Sequence, residues 1–252
     1  MRKRLLPILL GLVAAVYAAP VIVTVAKAFQ YDGSFFTLRQ FGELLITNNT
    51  VLRHFWLSAG YASAITVFCV VISFPLGFFF AKTRFFGKDA LFFAYILVMM
   101  LPFQATLLPN YIQLRDFDLL GSPLAIVLPM IFSPFAVFLF RQFIKGIPDD
   151  LLEYTLLETS SVGRLLWHIV IPQIQPAIIA LAVLIFCECW NIVEQALLFL
   201  SDNPDMMPLS VMLNQLPDNV AFAGAAVYMV PAMAVFFLFR DSLQTSMEKY
   251  RW

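Results

Sequence analysis

The stretch that decides the fold is Asp149–Pro176, DDLLEYTLLETSSVGRLLWHIVIPQIQP, which interrupts a mostly apolar chain with polar residues. An acidic segment leads into a small polar turn at Thr159–Ser161, and an amphipathic run follows up to Pro172 and Pro176. Proline lacks a backbone N–H and disrupts helices, so we expect the two prolines to stop this run. The pattern predicts a short helix, a turn and a second helix at a membrane surface, with one face free to contact another protein.

Composition identifies the rest of the chain as membrane-embedded. Hydrophobic residues make up 61% of the sequence and charged residues only 13%, whereas soluble domains carry about 25% charge. A chain this apolar is typical of an integral membrane protein. The formal net charge is zero, so there is no electrostatic basis for binding nucleic acid.

Six apolar segments are long enough to span a bilayer, which takes about 20 residues. The first continues to Phe29, which favours an uncleaved helix over a cleaved signal peptide. Prolines predict kinks at Pro129 and Pro134 in the fourth segment and a bend near Pro102 in the third. The sequence thus predicts an all-α protein with a single transmembrane domain over residues 1–252. The predicted spans are residues 5–29, 55–80, 90–109, 123–143, 177–200 and 221–240.

Basic residues predict the orientation. With the N-terminus placed in the cytoplasm, twelve of the 16 lysines and arginines fall on the inside and four on the outside. An excess of basic residues marks the cytoplasmic side of membrane proteins. Both termini and the loop 144–176 are therefore expected in the cytoplasm.

The fifth predicted span carries unusual polar residues. Glu188 stands near its middle, and Trp190, Asn191 and Glu194 follow. A charge inside a membrane span is costly and tends to be functional. On a continuous helix, Glu188, Asn191 and Gln195 would share one face. That face either lines a path for a polar solute or makes hydrogen bonds to neighbouring helices.

A second polar cluster lies at the outer end of the third predicted span. It contains Gln104, Asn110 and Tyr111, whose amides and aromatic ring suit hydroxyl-rich solutes. The same residues could form an ordinary interfacial cap with a belt tyrosine. His54 and His168 have no metal-ligand or triad spacing, and neither a phosphate-binding loop nor a hydrolase motif is present. Any nucleotide would therefore have to bind another chain.

The loop resembles the "EAA" loop of ABC-importer permease subunits, in which a Glu-Ala-Ala element precedes a turn and two spaced prolines. Glu153 stands at the glutamate position, Glu158 at the aspartate, Thr159 at the glycine and Ser160 at the final alanine, with Pro172 and Pro176 at the prolines. Asp150 lies in the acidic entry to the same segment. The runs 100–114, 120–129 and 138–153, together with Trp190-Asn191, are similar to the carbohydrate-uptake branch. Residues 241–252 depart from the glycine-rich tail typical of that family.

The resemblance implies a permease in the bacterial inner membrane that imports a sugar or oligosaccharide. It also implies a second permease subunit, which is usually an unlike one in this branch, two ATPase subunits that bind ATP and Mg²⁺, and an extracytoplasmic solute-binding protein. No cofactor is expected on this chain, and the loop 144–176 would be the coupling loop that contacts the ATPase.

Two other functions are weighed against an importer. An intramembrane enzyme would need Glu188 and Glu194 to act as a pair, but residues six apart on one helix point to different sides. A proton-coupled carrier with Glu188 as its relay remains the alternative. Secondary carriers usually show an internal repeat, and none is evident in this sequence.

Overall fold

The computed structural model of the protein describes residues 2–31, 33–34, 36–47, 49–159 and 161–249. The regular elements of these residues are helices, with a single isolated bridge between Tyr31 and Ser34. The α-helices in chain order are α1 (Arg2–Ala28), α2 (Arg39–Gly42), α3 (Asn49–Lys82), α4 (Lys88–Met99), α5 (Phe103–Asp116), α6 (Pro123–Met130), α7 (Pro134–Lys145), α8 (Asp149–Thr159), α9 (Val162–Leu165), α10 (Ile171–Trp190), α11 (Glu194–Phe199), α12 (Leu209–Met212) and α13 (Asp218–Lys249). The all-α membrane fold predicted from the sequence is confirmed.

Five helical segments of the described chain are long and apolar enough to cross a membrane, and a bent pair raises the number to six. The bent pair is α4 and α5, whose axes differ by 92°. The break falls at Met100–Pro102, where Pro102 takes an extended conformation as the N-cap of α5. The bend predicted there from the proline is therefore present. The five segments are Leu9–Ala28, Thr50–Lys82, Pro123–Lys145, Val162–Trp190 and Asp218–Asp241.

Prolines divide the fourth span into two helices. Pro123 and Pro134 occupy the first turns of α6 and α7, where the missing N–H costs no hydrogen bond. Ser133 caps α7, since its hydroxyl oxygen accepts a hydrogen bond from the N–H of Ala136 at 3.3 Å. A helix break between Met130 and Pro134 thus stands at the second predicted kink, whereas Pro129, the first, lies inside α6.

The fifth span differs from its predicted bounds of 177–200. It begins at Val162 and ends at Trp190, and Asn191 forms its C-cap. The expectation that Pro172 and Pro176 stop the helix was wrong. A π-helical turn at Leu166–Val170 ends two residues before Pro172. In an α-helix the proline ring would clash with a carbonyl of the preceding turn, and the wider π-helical turn leaves room for it.

Contacts between Cα atoms divide the chain into two compact units, Met1–Ser58 with Met207–Pro231 and Ala59–Met206 with Ala232–Trp252. In the first unit, His54 Nδ1 lies 2.6 Å from the carbonyl oxygen of Met207. The N–H of Leu209 donates to the Ser58 hydroxyl oxygen at 2.7 Å. These two buried bonds tie α3 to the segment that leads into α12. The apolar core of this unit comprises Ala28, Leu44, Val51, Leu209, Val220 and Ala223.

In the second unit, α3 and α7 approach closely at Gly77. A Cβ atom added to Gly77 would overlap Cβ of Phe140 and lie 3.1 Å from the backbone nitrogen of Arg141. Membrane helices use such small residues to bring their backbones together. The loop before α6 turns at Gly121, which has a left-handed φ of +72° and whose N–H donates to the Phe199 carbonyl at 2.8 Å.

Candidate coupling helix and solute path

Helix α8 presents an exposed face that mixes acidic and apolar side chains. Leu152 is buried, whereas Glu153 and Glu158 are exposed. Tyr154 and Leu157 are 74% and 82% exposed. Large apolar side chains on a polar surface helix mark a surface that contacts a partner. The acidic residues Asp149 and Asp150 stand in the first turn, where they interact favourably with the helix dipole.

Lys82, the last residue of α3, holds the beginning of α8. Its ammonium nitrogen donates to the carbonyl oxygen of Ile147 at 2.5 Å and to Oδ1 of Asp149 at 2.6 Å. The Lys82 side chain is only 10% exposed. The hydrogen bond and then the positive charge of Lys82 keep the pKa of the Asp149 carboxyl below its ordinary value. The start of α8 is therefore fixed to the end of a membrane span.

The turn after α8 is closed by a serine cap. The Ser161 hydroxyl oxygen accepts a hydrogen bond from the N–H of Arg164 at 3.5 Å, at the start of α9. Thr159 is the last residue of α8, and Ser160 lies outside the described residues. Pro172 is exposed and Pro176 half-buried, both within the helical run that enters the membrane.

A small cavity of about 250 Å³ lies between the end of α3 and the helices α8 and α9. Lys82 and Asp149 contribute its polar wall, and Glu153 stands at its edge. Its apolar wall comprises Phe78, Leu152, Leu156, Val162 and Leu165. Glu153, which stands at the glutamate position of the EAA-like loop, thus lies next to the contact between α8 and α3.

The structure brings together the two polar clusters that the sequence treats separately. Gln104 in the first turn of α5 donates from Nε2 to Oε2 of Glu194, which begins α11, across 3.3 Å. Both side chains are exposed. Asn110 and Tyr111 lie further along α5 and are half-buried. A carboxylate and an amide at the break of the third span form a polar surface that hydroxyl groups could contact.

The remaining residues predicted for the solute path have different environments. Glu188 is exposed on α10, and a carboxylate inside a membrane span needs water or a partner helix to cover it. Trp190 is only 1% exposed, so its indole cannot contact a solute in this conformation. Asn191 turns back on its own helix and donates to the carbonyl oxygen of Cys187 at 2.7 Å. Because α10 ends at Trp190, Gln195 does not continue the face of Glu188 and is buried in α11.

Sequence reasoning missed Lys82. It counted this lysine only as one of the basic residues that set the orientation. The signal available was its place at the end of an apolar span, but its partners at Ile147 and Asp149 are more than sixty residues away in the sequence.

The fold and these surfaces define a class of protein: an all-helical, multi-pass membrane protein with an exposed amphipathic helix outside its spans. Residues 73–249 match the model of the family "Binding-protein-dependent transport system inner membrane component", and the chain belongs to that family. It is a transporter subunit of an ABC importer rather than an enzyme. The family gives no support to a proton-coupled carrier.

Named relatives agree with this assignment. The chain is 26% identical to the arabinooligosaccharides transport system permease AraQ of Halalkalibacterium halodurans, over 83% of this chain and 77% of the relative. It is 26% identical to the lactose transport system permease LacG of Rhizobium radiobacter, over 73% of this chain and 69% of the relative.

A solved structure supports the fold. One chain in the crystal structure of a bacterial ABC transporter involved in the import of the acidic polysaccharide alginate superposes with a TM-score of 0.86. The match covers 96% of both chains at 18% sequence identity, so it is a likeness of fold.

Proposed function

We propose that this chain forms half of the translocation path of an importer for a sugar or oligosaccharide. The proposal rests on the names of AraQ and LacG, whose transport systems carry arabinooligosaccharides and lactose. The polar surface at Gln104 and Glu194 has the amide and carboxylate groups that bind hydroxyls. This surface would be extended by Asn110, Tyr111 and Glu188. It would be held in place by Trp190 and Asn191, which would not contact the solute themselves.

The assembly would contain an unlike second permease, two ATPase subunits and an extracytoplasmic solute-binding protein. ATP and Mg²⁺ would be bound by the ATPase subunits. Both termini and α8 would lie in the cytoplasm, in agreement with the distribution of basic residues. Helix α8 would seat in the ATPase, with Asp150, Glu153 and Glu158 at the contact and the turn at Thr159 and Ser160 beside it.

The observation that carries this proposal is the exposed face of α8. A helix whose start is fixed to α3 by Lys82 and whose Tyr154 and Leu157 are largely exposed suits the transmission of force from a second protein. A nucleotide-driven movement of that protein would move α8 and the spans that hold it.

The experiment is purification of the tagged chain from membranes in mild detergent, with and without Glu153→Ala. We expect a second permease and an ATPase to co-purify with the unchanged chain. We expect Glu153→Ala to lower solute uptake at least tenfold while the chain still inserts. Asp202→Ala, which removes an exposed carboxylate in the loop after α11, is the matched control and should leave uptake unchanged.

Two results would contradict the proposal. One is a chain that emerges alone and stable, with no ATPase partner. The other is wild-type uptake in Glu153→Ala. The solute is then identified by uptake of labelled sugars of increasing chain length, with ATP depletion and dissipation of the proton gradient applied separately. Only ATP depletion should stop uptake.

A further inference from the structure

The C-terminal end of α3 is held by cationic side chains from two other helices. The last carbonyl groups of a helix have no partner within it. Here Lys88 of α4 donates to the carbonyl oxygens of Ala81 at 3.2 Å and Thr83 at 2.8 Å. Arg141 of α7 donates from Nε to the carbonyl oxygen of Phe80 at 3.3 Å. Positive charges at a helix C-terminus are also favoured by the helix dipole.

Arg141 is itself fixed in place. Its guanidinium lies 3.8 Å from the ring centroid of Phe92 in α4, and Nη2 is 3.5 Å from Oδ1 of Asp89. Its side chain is almost wholly buried. The ends of α3, α4 and α7 are therefore connected by charge-assisted contacts, which are stronger than neutral ones. We call Lys82, Lys88 and Arg141 the α3 junction.

Lys82 is the member of the junction that reaches α8. It ends α3, yet its ammonium group bonds to Ile147 and Asp149, on the short connection from α7 into α8. Ile147 is buried as well. The Lys82 side chain is only 10% exposed, and a charged group removed from water is stabilised by partners such as these two acceptors.

The alternatives to Lys82 make weaker contacts with α8. Arg84 lies 4.0 Å from Oδ2 of Asp149 and its side chain is 89% exposed. Lys88 and Arg141 bind carbonyls of α3 and residues of α4. Among the described residues, the short polar contacts from α3 to the start of α8 come from Lys82.

Helices α3 and α7 also cannot slide past each other easily. At Gly77 their backbones are so close that a Cβ atom would overlap Phe140. Since α7 leads through Gly146–Pro148 into α8, the segment is held at both sides: by the chain from α7 and by Lys82 from α3. The start of α8 is therefore held next to the end of α3 from two sides.

We infer that Lys82 is a positioning residue that passes the movement of α8 to α3, so that ATP hydrolysis by the partner is converted into a displacement of this membrane span. This inference rests on the proposed role of α8 as the helix that contacts the ATPase. It assigns to the lysine a role in coupling, as distinct from binding the ATPase or the solute.

The test measures solute transported per ATP hydrolysed by the whole importer reconstituted in vesicles. Lys82→Met removes the charge and the donors but keeps most of the side-chain length. We expect this variant to assemble with its ATPase and to keep at least half of the hydrolysis rate. Its transport per ATP should fall at least fivefold. Lys82→Arg keeps charge and donors and should retain at least half of the wild-type ratio.

Lys145→Met is the matched control, because Lys145 is an exposed lysine at the end of α7. It should leave the ratio unchanged. A ratio within twofold of wild type in Lys82→Met would overturn the inference. So would a Lys82→Arg variant as impaired as Lys82→Met, since that result would point to packing of the lysine rather than to its donors.

A second variant gives an answer even if Lys82→Met folds poorly. The double variant Lys82→Cys with Asp149→Cys, made after replacement of Cys69, Cys187 and Cys189, can be joined by a short bifunctional thiol reagent. The unlinked double variant should be uncoupled, and linking should restore at least half of the transport per ATP. Loss of transport on linking would show that α3 and α8 must move relative to each other, and would overturn the inference.

Failure of this inference and failure of the proposed function give different results. If α8 does not contact the ATPase, Glu153→Ala also keeps wild-type uptake. If α8 contacts the ATPase but Lys82 does not couple it to α3, Glu153→Ala loses uptake and Lys82→Met keeps its ratio.

Discussion

Gln104 and Glu194 share a hydrogen bond of 3.3 Å, from Nε2 of the amide to Oε2 of the carboxylate. The two residues are 90 positions apart, and each stands in the first turn of a helix that follows a break in the backbone. The contact joins the second half of the bent third span to the short helix after the fifth. Both interrupted spans therefore present polar groups at the same place.

This pair predicts non-additive effects on transport. We expect Gln104→Ala and Glu194→Ala each to lower the initial uptake rate a few-fold, because each removes a polar group from the proposed solute surface. Exposed charged contacts couple by about 0.2–1 kcal/mol, so the double variant should be less impaired than the product of the single effects. Uptake rates of the four proteins measure the coupling. Gln113→Ala, which removes an exposed amide on the same helix, is the control and should leave the uptake rate unchanged. Strictly additive effects of Gln104→Ala and Glu194→Ala would show that the two residues act independently.

The close crossing of α3 and α7 predicts that Gly77 tolerates no side chain. Gly77→Ala would force the backbones apart at Phe140 and Arg141, at a cost of about 1–3 kcal/mol for overpacking. The thermal midpoint of the purified protein in detergent should fall. Gly60→Ala on the same helix meets no atom within 4 Å and should leave the midpoint unchanged or raise it. Equal midpoints for both variants would contradict the observed crossing.

The buried hydrogen bond of Ser58 predicts a loss of stability when its acceptor is removed. Its hydroxyl oxygen accepts the buried N–H of Leu209, so Ser58→Ala leaves this donor without its acceptor. An unsatisfied buried group costs about 1–3 kcal/mol, which should appear as a lower thermal midpoint. Ser63→Ala removes an exposed hydroxyl from the same helix and is the control. If the two variants were equally stable, the Leu209 N–H would have found another acceptor.

The ion pair between Lys82 and Asp149 predicts a defined pH dependence. The pKa of Asp149 is lowered in the folded protein by Lys82, so the contribution of the pair is fully present above the ordinary carboxyl pKa, about 3.9. It is lost as the pH falls through the lowered folded value. The difference in thermal midpoint between wild type and Asp149→Asn should therefore be constant from pH 8 to about 5 and shrink below about 4. A difference that changes between pH 6 and 8 would implicate another titrating group.

The sequence predicts the spans and their bends well, because these depend on local properties. The length of the apolar segments locates the membrane helices. Pro102 and Pro134 interrupt the helical hydrogen bonds regardless of which other segments pack nearby. The acidic start and serine turn of α8 are likewise local signals, and Ser161 caps the next helix as such a pattern predicts.

The rest depends on contacts between distant segments. The sequence does not show that the helix ends at Trp190, since the apolar run resumes at residues 196–200 beyond the polar residues Asn191 and Glu194. The π-helical turn that lets the chain pass Pro172 in helical form also has no sequence signature. Lys82 illustrates the same limit, because its partners are more than sixty residues away in the chain.

The unbroken run from Val162 to Trp190 has a mechanical consequence. Its 29 residues at a rise of about 1.5 Å each make a rod of about 43 Å. This rod begins two residues after α8, so it would act as a lever on the proposed contact between α8 and an ATPase subunit. A tilt of about 5° at the end near α8 would swing the far end sideways by about 4 Å, given the helical rise. That distance is comparable with the size of a hydroxyl-bearing carbon, so a small push on one side of the membrane could open a passage on the other.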